Sequence, residues 1–163
     1  MNVQELMTSH VKTCTPENNL AEVAGILFEN DCGALPVVDE LGKLLGMITD
    51  RDVCIAVGTN HRPAGELRVA SLSTSACYFC RPEQGVVSAL ETMIKGRVRR
   101  LPVVGNDGTV RGILSLNDII LYAVEVTSRS KDGLNSAHVL LTLKAICQHR
   151  DALQRREEMR QAA

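Results

Sequence analysis

Apolar and polar positions along the chain fall into two kinds of pattern that alternate and then recur. Leu20, Val23, Ala24, Leu27 and Phe28 follow the spacing i, i+3, i+4, i+7, i+8, which predicts a helix with one buried stripe. Asn19 with Glu22 three residues later is a capping pair for its start. Val86, Ala89, Leu90, Met93 and Ile94 repeat the pattern. After each helix come two short runs rich in Val, Leu and Ile, at 35–38 and 44–48 and again at 101–104 and 110–114. Asp39-Glu40-Leu41-Gly42 and Gly105-Asn106-Asp107-Gly108 join them, so each reads as a β-hairpin. A further helix is expected at 52–58 and at 117–127, and a strand before each first helix, at 11–14 and 77–80. Each copy is therefore β-α-β-β-α.

The two copies stand at a fixed offset of 66 residues. It links Pro16 to Pro82, Leu35-Pro36-Val37-Val38 to Leu101-Pro102-Val103-Val104, Gly42 to Gly108, Gly46 to Gly112 and Asp52 to Asp118, with no gap between Val3 and Val53. Neither copy carries enough apolar surface to close a core alone, which predicts an α+β pair packed about a pseudo-twofold axis. The expected divisions are 1–66, 67–127 and 128–163. The last comprises a loop at 128–135 and a long helix at 136–160, an appended packing or dimer-forming element.

Composition narrows what such a pair does. Aromatic residues make up 2% of the chain, with no Trp, which leaves few platforms for stacking nucleic-acid bases. The net charge of −1 argues against a general polyanion binder. The first ten residues lack the basic and apolar regions of a secretion signal, and no apolar run approaches a membrane span. Six cysteines in that setting read as reduced thiols, so a cytoplasmic location is expected. Phosphate-loop, dinucleotide-fold, nucleophile-elbow and zinc-protease motifs are all absent, and no catalysis is expected.

Leu35-Pro36-Val37-Val38-Asp39, Gly42 and Gly46-Met47-Ile48-Thr49-Asp50-Arg51-Asp52 resemble the signature of cystathionine-β-synthase-type (CBS) repeats. Arg100-Leu101-Pro102-Val103-Val104 with Gly112-Ile113-Leu114-Ser115-Leu116-Asn117-Asp118 resembles it equally. The resemblance covers about residues 3–127 and is to the stand-alone bacterial type. It implies a regulatory module that senses an adenine nucleotide (AMP, ADP, ATP, NAD or S-adenosylmethionine) in clefts between the repeats, as a homodimer, with no required cofactor.

Within that resemblance, Thr49 with Asp52 and Ser115 with Asp118 are the residues that read sugar and phosphate. A hydroxyl can donate to a phosphate oxygen, a carboxylate can accept a ribose diol, and a helix start favours anions. The same residue types also serve as ordinary helix caps. Arg99 and Arg100 supply guanidinium forks for phosphate where the first copy has Gly33-Ala34, so the second site is expected to hold phosphate more strongly. Asn117 and Arg51 lie inside the motifs. The adenine slot is assigned to Val11, Thr13, Ala34 and Pro36 in the first copy and to Tyr78 and Pro102 in the second. Two other functions compete: a ligand-free interaction or dimerisation module, and a thiol- or metal-responsive regulator using Cys77 and Cys80. A strand would point those two cysteines to opposite faces, which favours a structural role as small buried hydrophobes.

Overall fold

The computed structural model describes residues 1–72, 77–126 and 136–147. Thr127, the expected loop at 128–135 and the expected helix beyond Cys147 lie outside them. In chain order the elements are a 3-10 turn (Val3–Glu5), β1 (Thr8–Ser9), α1 (Leu20–Glu29), β2 (Ala34–Val38), β3 (Leu44–Thr49) and α2 (Asp50–Asn60). Two further 3-10 turns follow, Ala64–Glu66 and Val69–Ser71. The second half has α3 (Val86–Gly96), β4 (Arg100–Val104), β5 (Val110–Ser115), α4 (Leu116–Val126) and α5 (Ser136–Cys147). Each repeat is thus helix, hairpin, helix, and the fold is α+β.

The expected leading strands do not form as strands. Cys14 bridges Val37 and Cys80 bridges Val103, each as one isolated parallel bridge. Cys14 N–H donates to Pro36 O at 3.0 Å, and Val38 N–H to Cys14 O at 2.8 Å. The next donor along the segment falls on Pro16, or on Pro82 in the second copy, and proline has no N–H to extend the ladder. The expected opposite-face alternation of Cys77 and Cys80 therefore has no strand to rest on.

Helix α1 starts as its sequence predicts. Glu22 N–H donates to Asn19 Oδ1 at 2.9 Å, and Asn19 N–H donates to Glu22 Oε2 at 3.1 Å. Hydrogen bonds from the Asn18 side chain and the Asn19 amide hold the Glu22 carboxyl below its ordinary range. The buried stripe is narrower than expected: Leu20, Val23 and Leu27 are buried, whereas Ala24 is exposed and Phe28 is 88% exposed. In α3 the corresponding Leu90 is buried and Ile94 half-buried, because α5 packs against that helix.

The chain forms two compact units, and these divide it differently from the sequence repeats. One unit holds the described residues of Met1–His10, Tyr78–Asn106 and Arg111–Gln161; the other holds those of Val11–Cys77 and Asp107–Val110. In the first of these, β1, β5 and β4 form a three-stranded sheet in that order, with Thr8 opposite Ile113 and Ser9 opposite Gly112. Its core joins Val3 to Leu90, Met93, Leu101, Leu114 and Ile119, with Val139 of α5. The other unit contains the β2–β3 hairpin and a core of Leu20, Val23, Leu35, Val37 and Ile48 that takes in Leu67 and Val69. Val3 and Val69 are repeat equivalents, so the stretch around each, ahead of the leading bridge, sits in the core built from the other repeat's helices.

Gly42 and Gly108 close the hairpin turns at φ +75° and +85°, a region where a Cβ is strained. Asp39 and Asp107 brace the same turns. Asp39 Oδ1 accepts Leu41 N–H and Lys43 N–H, and Asp107 Oδ1 accepts Thr109 N–H. Leu44 N–H donates to Gly108 O, and Val110 N–H to Gly42 O, tying the 107–110 turn into the unit of the first hairpin.

Candidate functional site

Each sequence motif lies where a strand gives way directly to a helix. β3 ends at Thr49 and α2 begins at Asp50; β5 ends at Ser115 and α4 begins at Leu116. Thr49 is the N-cap of α2, with extended backbone. Its N–H and Oγ1–H both donate to Asp52 Oδ2, at 2.9 and 2.6 Å, and Asp52 N–H returns a bond to Thr49 Oγ1 at 3.2 Å. Ser115 and Asp118 reproduce the arrangement at 2.8, 2.7 and 3.2 Å. Thr49 with Asp52 and Ser115 with Asp118 are therefore complete reciprocal caps. Each hydroxyl proton points at its own carboxylate, so the hydroxyl offers a ligand its oxygen first. The second carboxylate oxygen, Oδ1, of both Asp52 and Asp118 carries no hydrogen bond among the described residues. Each motif thus presents one free carboxylate oxygen beside a helix N-terminus.

The two motifs differ in their free N–H groups and their charge. In the first, Asp50 N–H donates to Gly33 O at 3.4 Å, and Asp50 Oδ1 accepts Arg51 N–H at 2.7 Å. Two carboxylates, Asp50 and Asp52, already neutralise the start of α2. In the second, Leu116 replaces Asp50, and its N–H donates to Arg99 O at 2.9 Å. Asn117 N–H has no partner among the described residues. A free N–H among the described residues and one carboxylate fewer leave the start of the second helix less neutralised than the first. Sequence reasoning missed the role of Asp50, although its replacement by Leu116 is visible at the repeat offset.

The remaining assigned residues fall into two sets, each within one unit. Ala34 pairs with Thr49 across the β2–β3 hairpin. Ala34 and Pro36 are buried, Val11 is half-buried and Thr13 is exposed. By the repeat offset Arg100 takes the place of Ala34; it is half-buried, whereas Arg99 and Arg51 are exposed, with no side-chain hydrogen bond among the described residues. Pro102 is buried, its carbonyl accepting Cys80 N–H at 3.1 Å. Tyr78 is 39% exposed and lies on Gly96, whose backbone passes so close that a Cβ there would come within 2.6 Å of the ring.

Burial pushes the thiol of Cys80 up to about 12, and those of Cys14 and Cys77 up to about 11, from an ordinary 9.0. Thiolate chemistry at neutral pH is correspondingly suppressed. At neutral pH these groups are protonated whether the chain is folded or not. As pH rises from roughly 9 to 12 the unfolded chain loses protons that the folded chain keeps, so stability falls. The urea midpoint is expected to drop over that range. At pH 8 a thiol reagent should label exposed Cys54 and Cys147 first, and Cys14 and Cys80 only after denaturation. Rapid labelling of Cys80 in the folded protein would contradict this. Among the described residues no three His, Cys, Asp or Glu side chains converge on a metal position, and no helix is long and apolar enough to cross a membrane.

Tandem helix–hairpin–helix repeats, each turning from a Gly-containing strand into a helix capped by Thr/Ser-x-x-Asp, are the shared architecture of the two halves. The chain belongs to the CBS domain family, whose pattern matches residues 3–58 and 69–125. It is 29% identical over 137 residues to the CBS domain-containing protein YhcV of Bacillus subtilis, covering 84% of this chain and 96% of that one. Among solved structures it is similar to Hypoxic Response Protein I with two coordinated zinc ions, at 26% identity and TM-score 0.69, covering 75% of this chain and 98% of that one. The CBS domain pair of protein MJ0100, in complex with 5-methylthioadenosine and S-adenosyl-L-methionine, is 27% identical with TM-score 0.65 over the same shares.

Proposed function

We propose that this chain is a regulatory module that binds an adenosine-containing nucleotide and catalyses nothing itself. The observation that carries the reading is the free Oδ1 of Asp52 and of Asp118, held by a cap that uses only Oδ2, beside a helix N-terminus. Such an oxygen suits a ribose diol, and the flanking N–H groups suit phosphate. Family membership supports the reading, as does the adenosyl chemistry of the ligands held by MJ0100. Ser115, Asn117 and Asp118 with Arg99 and Arg100 form the stronger site for a phosphate-bearing ligand, its ribose on Asp118; Thr49, Arg51 and Asp52 form the weaker. Val11, Thr13, Ala34, Pro36, Tyr78 and Pro102 contribute to adenine binding. The module works in the cytoplasm as a homodimer, and ligand biases a partner protein through its differential affinity for two states.

The test is calorimetric titration with AMP, ADP, ATP, NAD and S-adenosylmethionine against the native chain, Asp52→Asn and Asp118→Asn. Asparagine keeps an oxygen for the cap and removes the free carboxylate oxygen, so fold and ligand effects separate. Asp118→Asn is expected to weaken phosphate-bearing ligands about tenfold or more, the scale of a lost hydrogen bond to a charged group. Absence of binding by all five ligands would overturn the proposal in favour of a ligand-free interaction module.

A further inference from the structure

Two helices carry exposed apolar stripes, one with acidic residues beside it and one with a lysine. On α1, Ala21, Ala24 and Phe28 stand at i, i+3, i+7 and face solvent, Phe28 at 88% exposure. On α5, Ala137, Leu140, Leu141 and Lys144 stand at i, i+3, i+4, i+7 and are also exposed, Leu140 at 65% and Leu141 at 58%. An exposed phenylalanine beside two alanines, and two adjacent exposed leucines, are apolar faces of the kind a partner helix covers.

The charges carried by the two helices themselves are opposite in sign, with Arg68 acting on Glu22 at the first end of α1. From Thr13 to Gly42 the chain contains no Lys or Arg, and Glu22, Glu29 and Asp31 rim the α1 stripe, all exposed. Helix α5 has no Asp or Glu and carries Lys144 on its exposed stripe. Pairing α1 with a second α1 would set like charges together, whereas pairing it with α5 sets Lys144 against carboxylates.

We infer that α5 of one copy docks its Leu140–Leu141 face on the Ala24–Phe28 face of α1 in a second copy. This names the surface of the homodimer proposed above and rests on that reading. A twofold dimer forms this contact twice. Phe28 is the buried anchor of each contact.

The experiment uses the full chain. Sedimentation velocity up to about 100 µM should show a dimer, and Phe28→Asp and Leu140→Asp should each raise its dissociation constant about 30-fold or more. Both positions are exposed, so helical circular dichroism should not change. Leu41→Asp, exposed but on neither stripe, should leave the dimer intact. A benzophenone photocrosslinker in place of Phe28, mixed with isotope-labelled chain, should attach to peptide 137–144 of the other copy. A dimer whose crosslinks land elsewhere, or that survives Phe28→Asp, overturns this surface and leaves the homodimer standing. A wild-type monomer throughout that range overturns both, and gives the face to a different protein.

Discussion

Val3→Asp is expected to destabilise the unit that contains α3, α4 and α5 by about 4 kcal/mol while leaving α1 and α2 protected. Val3 is fully buried, and its unit's core includes Met93, Leu101 and Ile119. An unpaired carboxylate there loses its hydration and gains no partner. For a chain of this size the melting midpoint should fall by roughly 10 °C. Val69→Asp should do the reverse, because Val69 is buried with Leu20 and Val23. Hydrogen exchange read by mass spectrometry distinguishes the two: amides of 86–96 should lose protection in the first variant and amides of 20–29 in the second. If Val3→Asp instead exposes α1, the exchange of leading segments between repeats is wrong.

Gly112→Ala should cost about 2–3 kcal/mol, although alanine is usually the better residue inside a strand. A Cβ at Gly112 would lie 2.5 Å from the carbonyl oxygen of Thr8 and 3.1 Å from Met7 Sδ. The first is backbone of the paired strand β1, which cannot retreat without giving up its bridge to β5. Gly25→Ala is the control. A Cβ there meets nothing within 4 Å, and the residue sits inside α1, so the change should stabilise by about 0.5–1 kcal/mol. Urea melts of the two variants should therefore move in opposite directions. Equal shifts would remove the close β1–β5 approach as the reason for glycine at 112.

The Thr49–Asp52 and Ser115–Asp118 pairs were legible in the sequence because a four-residue cap is a local structure. Spacing alone brings a hydroxyl and a carboxylate within hydrogen-bond reach across one helical turn. Their chemical inequality was half legible: Arg99 and Arg100 were visible, whereas the closure of Arg51 N–H by Asp50 needed coordinates. The thiols show the opposite limit. Cys14 and Cys80 could be recognised as small buried hydrophobes, but the size of their desolvation depends on what surrounds them.

What the sequence by itself determined is whatever repeats or closes within a few residues. That includes the 66-residue offset, the helix and hairpin order, the α1 capping box and the glycine turns at 42 and 108. Local backbone preference and periodic burial suffice for these, since each is decided by neighbours along the chain. Only the tertiary structure decided that Val3 and Val69 trade cores, that the leading strands shrink to single bridges, and that the expected face of α1 is half uncovered. Ala24 and Phe28 satisfy the same periodicity as Leu90 and Ile94. Periodicity states which face of a helix is apolar; whether another element arrives to cover it is settled by residues far away in the chain.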